Sequence, residues 1–140
     1  MNLQAVFQDS HTALGAAGEC WAREFFAGRG FEIRDCHTLG DMEIVDRQSG
    51  EILVIEVKTA RRGVDRRRSK FYWRFNLRKA GHTDHRKSDR VLAIALSASG
   101  VPVPYLIPTS DVFGLSCLTI SGNDPRDYGG KYAQYRVRGC

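Results

Sequence analysis

An apolar run that ends in two charged residues constrains this chain more than any other feature. Residues 52–55 are mostly β-branched, which favours a buried strand, and the run continues directly into Glu56, Val57 and Lys58. Because side chains alternate along a strand, Glu56 and Lys58 lie on one face and Val57 on the other. A carboxylate beside an ammonium at the end of a buried strand indicates a site for metal-dependent chemistry.

The preceding segment predicts a hairpin with a defined register. Residues 41–46 alternate acidic and apolar side chains, and residues 47–50 supply a turn before the next strand. With these four residues as the loop, the ladder places Asp41 opposite Glu56. Directly paired residues have Cβ atoms about 4.5–5.5 Å apart, and like charges there repel each other. A divalent cation between the two carboxylates would turn that repulsion into ligation.

The same register separates two faces of the hairpin. One face is wholly apolar, and the other carries charged side chains. A shift of the pairing by one residue would scramble both faces, so the hydrophobic pattern supports this register. The apolar face consists of Met42, Ile44, Leu53, Ile55 and Val57, and the charged face includes Asp41, Glu43, Glu56 and Lys58.

The length of the chain and its cysteines bound its architecture. The 140 residues predict a single domain with a core large enough to fold without disulfides or a structural metal. The four cysteines are scattered and form no Cys-x-x-Cys pair, so we predict a protein of the reducing cytoplasm. No apolar run of membrane-spanning length and no convincing signal peptide is present, so we expect no membrane association.

Positive charge is concentrated in one block, whose first part, residues 61–70, we expect to form a loop after Lys58. The net charge of the chain is +5, and residues 61–90 hold twelve Lys and Arg against three acidic residues. A block this dense favours nucleic acid as the partner over a membrane surface or an acidic protein. Its cations would neutralise phosphates, which predicts salt-dependent and largely sequence-independent binding. The candidate DNA-binding residues are Arg61, Arg62, Arg66, Arg67, Arg68, Lys70 and Arg74.

The order of the predicted elements gives an α/β fold. We predict helices over residues 10–27 and 75–87, and strands over residues 31–34, 90–96 and 105–108 in addition to the hairpin. The aromatic side chains just before the second helix are expected in the core rather than stacked on bases. The tail is expected to form a last strand or an edge. The fold class is a mixed central sheet with an α-β-β-β-α-β core, flanked by helices.

Glu19, in the middle of the first helix, is a third acidic candidate. It is flanked by Gly15 and Gly18, and glycine inside a helix costs about 1 kcal/mol relative to alanine. Two such glycines predict that another backbone approaches the helix closely. Spacing alone favours a solvated surface glutamate, because Glu19 does not fall on the apolar stripe.

Four motifs in this order resemble those of the PD-(D/E)XK nuclease superfamily. More narrowly, they resemble those of the archaeal Holliday-junction resolvases and the small intron-encoded homing endonucleases of that fold. The resemblance covers residues 14–60 well, and Gly40 replaces the proline of the family pattern. The motifs are Gly18-Glu19, Gly30-Phe31, Gly40-Asp41 and Ile55-Glu56-Val57-Lys58-Thr59.

The resemblance implies a restriction-endonuclease-like fold and a role for each site residue. Asp41 and Glu56 would bind a cation together with the backbone carbonyl of Val57. Glu19 would complete the metal shell, directly or through water. Lys58 would orient or activate the attacking water and stabilise charge at the phosphate. Oxygen ligands suit a hard cation such as Mg²⁺, for which Mn²⁺ is expected to substitute.

The resemblance also implies the function, a Mg²⁺-dependent endonuclease that hydrolyses phosphodiester bonds of branched or duplex DNA. It would act as a Holliday-junction resolvase or a homing-type enzyme. Because one active site cuts one strand, we expect a homodimer or homotetramer. Two alternatives stay open: a DNA-binding accessory module that has lost catalysis, and a nuclease for structured RNA.

Overall fold

A helix and two sheets form three stacked layers in the computed structural model of the chain, which describes residues 11–35, 41–77 and 88–138. The mixed α/β fold class is therefore confirmed. No helix of these residues is long and apolar enough to cross a membrane. The elements are α1 His11–Ala27, β1 Phe31–Asp35, β2 Met42–Asp46, β3 Ile52–Ala60, β4 Gly63–Asp65, β5 Lys70–Asn76, β6 Arg90–Leu96, β7 Pro102–Pro108, α2 Thr109–Val112 and β8 Cys117–Ser121, followed by 3₁₀ turns at Pro125–Asp127 and Ala133–Tyr135.

Five strands form the central sheet, in the order β1-β2-β3-β6-β7. Strands β3 and β6 run parallel, and the other neighbouring pairs are antiparallel. The parallel pair therefore lies inside the sheet, covered on both faces. This position explains the continuous apolar sequence of β6, in which residues 91–96 are all buried.

The β2–β3 hairpin has the register predicted from the sequence. Met42 pairs with Ile55. One step further, the N–H of Asp41 donates to the carbonyl of Ile55 over 2.9 Å, so Asp41 lies opposite Glu56. The predicted apolar face is covered by α1, in a core cluster that includes Met42, Ile44, Ile55, Val57, Leu14, Ala22 and Phe26.

Helix α1 faces the central sheet along a stripe in which every fourth residue is buried. Gly18 lies in this stripe, and a Cβ added to it would lie 1.9 Å from Oγ1 of Thr59 on β3. A Cβ on Gly15 would meet nothing within 4 Å. The predicted close approach is therefore present at Gly18, where the neighbour is a side chain rather than a backbone, and the prediction is wrong at Gly15. The stripe consists of Leu14, Gly18, Ala22 and Phe26.

Part of the basic block belongs to a second sheet, the small sheet, instead of a loop. Strands β4, β5 and β8 form this antiparallel sheet in the order β4-β5-β8, and residues 66–69 form the turn between β4 and β5. Phe71, Trp73 and Phe75 of β5 pack into a core shared with the central sheet. The indole N–H of Trp73 donates to the carbonyl of Leu96 over 2.7 Å. The prediction that the aromatic residues here belong to the core is therefore confirmed for these three, and it is wrong for Tyr72, which lines a surface groove instead.

The predicted second helix is wrong at its start. Phe75 and Asn76 belong to β5, where Phe75 pairs with Leu118 of β8. Residues 78–87 of that helix lie outside the described residues. The sequence did not predict β8, because its alternation of exposed and buried residues covers only five positions and its pairing partner is distant in the chain.

The strand β7 and the tail also differ from expectation. Strand β7 begins at Pro102, earlier than predicted, and is an edge strand of the central sheet. It also contains Pro104 and Pro108. Proline lacks an N–H, and an edge strand tolerates this because one of its sides needs no ladder bond. The tail forms 3₁₀ turns instead of a strand, with one isolated bridge between Tyr105 and Arg136.

Candidate active site

The candidate residues meet where β3 runs past the beginning of β2. The ladder between the two strands extends from Val45–Ile52 to Met42–Ile55, so the later part of β3 has no partner in β2. Among the described residues, no strand pairs with residues 56–60 on this edge of β3, which we call the open edge. Asp41 lies directly before β2 at that edge, and α1 crosses β3 there at Gly18.

Asp41 is fixed to β3 by two hydrogen bonds. Its N–H donates to the carbonyl of Ile55 over 2.9 Å, and its Oδ2 accepts from the N–H of Val57 over 2.6 Å. The N–H and C=O of one strand residue project from the same edge of the strand. The carbonyl of Val57 therefore faces the open edge on which Asp41 lies.

Glu19 of α1 lies beside Asp41. Burial raises the pKa of Glu19 above its ordinary value, and the charge of Asp41 and a hydrogen bond with it raise the pKa further. Arg23 and Lys58 are close enough to act in the opposite direction. Glu19 is half-buried. It therefore belongs to the site and is not the solvated surface glutamate that helix spacing favoured.

Glu56 and Lys58 form an ion pair on the face of the central sheet opposite to α1. Glu56 is only 7% exposed, and its Oε1 lies 3.4 Å from Nζ of Lys58. A buried carboxylate needs a nearby opposite charge, because leaving water costs it several kcal/mol. Lys58 supplies this charge, and its half-buried side chain still reaches the surface.

The four predicted catalytic residues thus come together as two pairs, Glu19 with Asp41 and Glu56 with Lys58. Within the ranges that the structure describes, no three His, Cys, Asp or Glu side chains form a ready-made metal cluster. The donors are nonetheless all oxygen, and the charge of Asp41 disfavours the ionised form of Glu19. Mg²⁺ typically takes only one or two protein carboxylates and keeps several waters, so this donor set fits it.

The candidate DNA-binding residues lie on or next to the small sheet. Arg61 and Arg62 connect β3 to β4, residues 66–68 are exposed in the turn, and Lys70 and Arg74 are exposed on β5. An open groove of about 620 Å³ lies over this sheet. Its lining also includes residues that the sequence reasoning missed, namely Tyr72, Thr119 and Ser121. The alternation of β5 could have revealed Tyr72, whereas the other two lie on the unpredicted β8.

The central sheet and its covering helix form a fold that a solved structure shares. A similar solved structure is that of the bacterial homing endonuclease I-Ssp6803I, with a TM-score of 0.62 and 16% sequence identity. The alignment covers 91% of this chain and 86% of that one. No family model matches the chain, and no curated protein matches it. At this identity the likeness concerns the fold, and membership of the PD-(D/E)XK superfamily stays a prediction.

Proposed function

We propose that this chain is a metal-dependent DNA endonuclease of the PD-(D/E)XK superfamily that hydrolyses phosphodiester bonds. The observation that carries the proposal is the meeting of Glu19, Asp41, Glu56 and Lys58 at one end of β3, next to a strongly basic surface. The fold shared with a protein described as a homing endonuclease supports it. The motifs around these residues support the superfamily.

Two carboxylates and one backbone carbonyl would hold the metal, with a third carboxylate at its shell. Asp41 and Glu56 would bind Mg²⁺ with the Val57 carbonyl, and Glu19 would complete the shell directly or through water; Mn²⁺ would substitute. When bound, such an ion polarises a phosphoryl oxygen, helps to supply hydroxide and neutralises the leaving oxygen. Lys58 would orient the attacking water and stabilise the charge that develops on the phosphate. Its pairing with Glu56 keeps the ammonium at the strand end.

The proposed substrate is branched or duplex DNA, as for a resolvase or a homing-type enzyme. Exposed cations of the small sheet would neutralise its phosphates, with binding that weakens steeply as salt rises. Because one site cuts one strand, we propose a homodimer or homotetramer in which two sites act on the two strands. The cytoplasmic location stays a prediction from the cysteine pattern. The basic residues are Arg61, Arg62, Arg66, Arg67, Arg68, Lys70 and Arg74.

A DNA-binding accessory module without catalysis is the second candidate. One observation favours it, namely that the described side chains include no ready-made cluster of three metal ligands. In that case Asp41 would serve only to fix the start of β2 to β3, and the basic surface would bind DNA. The same basic surface would also serve a nuclease that acts on structured RNA.

A cleavage assay with a matched lysine control tests the proposal. Labelled four-way junction, linear duplex and structured RNA are incubated with Mg²⁺ or with EDTA. The variants are Lys58→Ala and Lys131→Ala; Lys131 is exposed and lies over the ring of Tyr132 in the tail. We expect Mg²⁺-dependent cutting by wild type and Lys131→Ala. Lys58→Ala should lose about 100-fold or more in rate, the usual effect of removing one preorganised charge-stabilising group.

The other outcomes separate the candidates. Tight DNA binding by wild type without cutting of any substrate would favour the accessory module. If only the RNA were cut, the chain would be an RNA nuclease and the proposal of a DNA nuclease would be wrong. A preference for the junction over linear duplex would favour the resolvase. Light scattering of the free and DNA-bound protein measures the number of subunits.

A further inference from the structure

Three concave sites on the basic surface are connected by shared residues. The groove over the small sheet shares Tyr72 and Arg74 with a pocket of about 310 Å³ where β3 passes into β4. We call this second site the junction pocket. It shares Arg61 and Arg62 with a third site of about 220 Å³, which residues 97–98 complete. The three sites form one track from the small sheet to the turn after β6.

The junction pocket has the charge of an anion-binding site. Three arginines line it, and none of the lining residues that the structure describes is acidic. Arginine suits phosphate especially well, because its planar group donates two parallel hydrogen bonds. One wall includes Thr59, which directly follows Lys58, so the pocket adjoins the candidate active site. The lining includes Thr59, Arg61, Arg62, Gly63, Tyr72 and Arg74.

Two of the three arginines are held on aromatic rings. The guanidinium carbon of Arg62 lies 4.0 Å from the ring centroid of Phe71, and that of Arg74 lies 5.2 Å from the ring centroid of Tyr72. Such cation–π contacts restrict long side chains that would otherwise be mobile. Cations that are ordered before the ligand arrives lose less conformational entropy on binding.

Glycines give the junction pocket its shape on two sides. A Cβ on Gly63 would lie 2.4 Å from the ring of Tyr72, so this ring can lie across β4 only because residue 63 has no side chain. On the other side, Gly18 of α1 leaves the space that Thr59 occupies. The walls formed by Thr59 and Tyr72 therefore both depend on the absence of a neighbouring side chain.

We propose that the junction pocket binds a phosphate of the polynucleotide next to the bond that is cut, and that the strand follows the track in both directions. That the ligand is a polynucleotide rests on the proposed function. The proposal adds to that function a defined binding site for one phosphate and the route of the strand across the surface. Arg62 and Arg74 donate to the phosphate oxygens, with Arg61 between this pocket and the third site. Phe71 acts as a positioning residue for Arg62.

The salt dependence of binding tests the phosphate site. Binding of labelled duplex DNA is measured by fluorescence anisotropy in EDTA at several salt concentrations. The variants are Arg62→Gln and Arg74→Gln, and the control is Arg47→Gln, an exposed arginine in the β2–β3 turn. Each pocket variant should reduce the slope of log K against log salt by about 1, as expected for one lost phosphate contact. The control should keep the wild-type slope.

The Phe71→Leu variant tests the positioning role, because it removes the ring but keeps every charge. We expect severalfold weaker binding with an unchanged salt slope, since Arg62 still neutralises the phosphate but is less ordered beforehand. Thermal unfolding of the variant without DNA shows whether its fold is intact. Wild-type affinity in a folded Phe71→Leu protein would overturn the positioning role.

The outcomes distinguish this proposal from the proposed function. If wild type cuts DNA and both arginine variants keep its salt slope, the phosphate site is wrong and the nuclease stands. If both variants lower the slope but no substrate is cut, the pocket binds a phosphate, but its place beside a cut bond and the nuclease are both wrong. Repeating the titration with duplex RNA identifies which polynucleotide supplies the phosphate. Binding of neither would overturn both proposals.

Discussion

Asp41 and Asp89 lie on opposite edges of β3, and each makes one backbone and one side-chain hydrogen bond to it. Each directly precedes a strand of the central sheet. Asp41 donates its N–H to Ile55 and accepts from the N–H of Val57, over 2.9 and 2.6 Å. Asp89 donates its N–H to the carbonyl of Val54 and accepts from the N–H of the same residue, both over 2.8 Å. Both aspartates therefore fix the start of a strand to β3.

Their surroundings differ, and that difference separates a structural aspartate from a candidate metal ligand. Asp41 is half-buried beside Glu19, and its charge contributes to the raised pKa of that residue. Asp89 is exposed next to Arg90, whose guanidinium donates to the Asp89 carbonyl over 3.0 Å. The local hydrogen bonds of an aspartate thus do not identify its role. The second carboxyl, which α1 supplies, makes Asp41 a candidate.

Asparagine at the two positions gives the largest expected contrast. Asp41→Asn should lower the rate of DNA cleavage about 100-fold or more, because a neutral amide is a poorer ligand for a hard cation. Its side-chain oxygen can still accept from Val57, so the fold should persist. Asp89→Asn should stay within about threefold of wild type, as expected for a residue outside the reacting groups. The cleavage rates of both variants are measured under single-turnover conditions in Mg²⁺. Equal losses of rate would show that the two aspartates do not differ in function.

Alanine in place of either helix glycine tests what brings Glu19 to Asp41. Gly18→Ala should destabilise the protein by about 1–3 kcal/mol, because its Cβ would overlap the side chain of Thr59. Gly15→Ala, with open space at its Cβ, should stabilise it by up to about 1 kcal/mol through helix propensity. Urea unfolding measures both changes. A Gly18→Ala protein as stable as wild type would show that α1 need not approach β3 so closely.

The pH dependence of Glu19→Gln should give the smallest effect, below about 1 kcal/mol because solvent screens a half-buried carboxyl. The pKa of Glu19 is raised in the folded state above its ordinary value of 4.5, so the folded chain binds this proton more tightly than the unfolded chain. Wild type should therefore lose stability relative to Glu19→Gln as pH rises from below 4.5 through the raised pKa.

Thermal unfolding across this pH range measures the difference, with Glu24→Gln as the control because Glu24 is exposed on the same helix. At neutral pH, Mg²⁺ should raise the Tm of wild type more than that of Glu19→Gln, since a ligand of the native state stabilises it. A stability difference that does not change with pH would contradict the carboxyl pair. If Mg²⁺ raised the Tm of both proteins equally, Glu19 would not be part of the metal shell.

Much of the fold and half of the site could be predicted from local sequence. The alternation on both sides of the β2–β3 turn determines the hairpin register, because a shift by one residue would bury charges. That register alone places Asp41 opposite Glu56 and puts Lys58 on the same face as Glu56. The continuous apolar run of β6 similarly indicates a strand buried on both faces.

The tertiary structure decided the other half, in which the sequence had named Glu19 only through the resemblance of a motif. Glu19 faces Asp41 because Gly18 lets α1 approach β3 at Thr59, and helix spacing cannot show which side chain will face a distant strand. The small sheet forms because β8 pairs with β5 across more than forty residues, and five alternating residues carry too weak a pattern to reveal that partner. Local periodicity determines which face of an element is buried. Packing between distant segments decides which buried or basic groups meet, and here it assembles the carboxyl pair and the arginine-lined pocket.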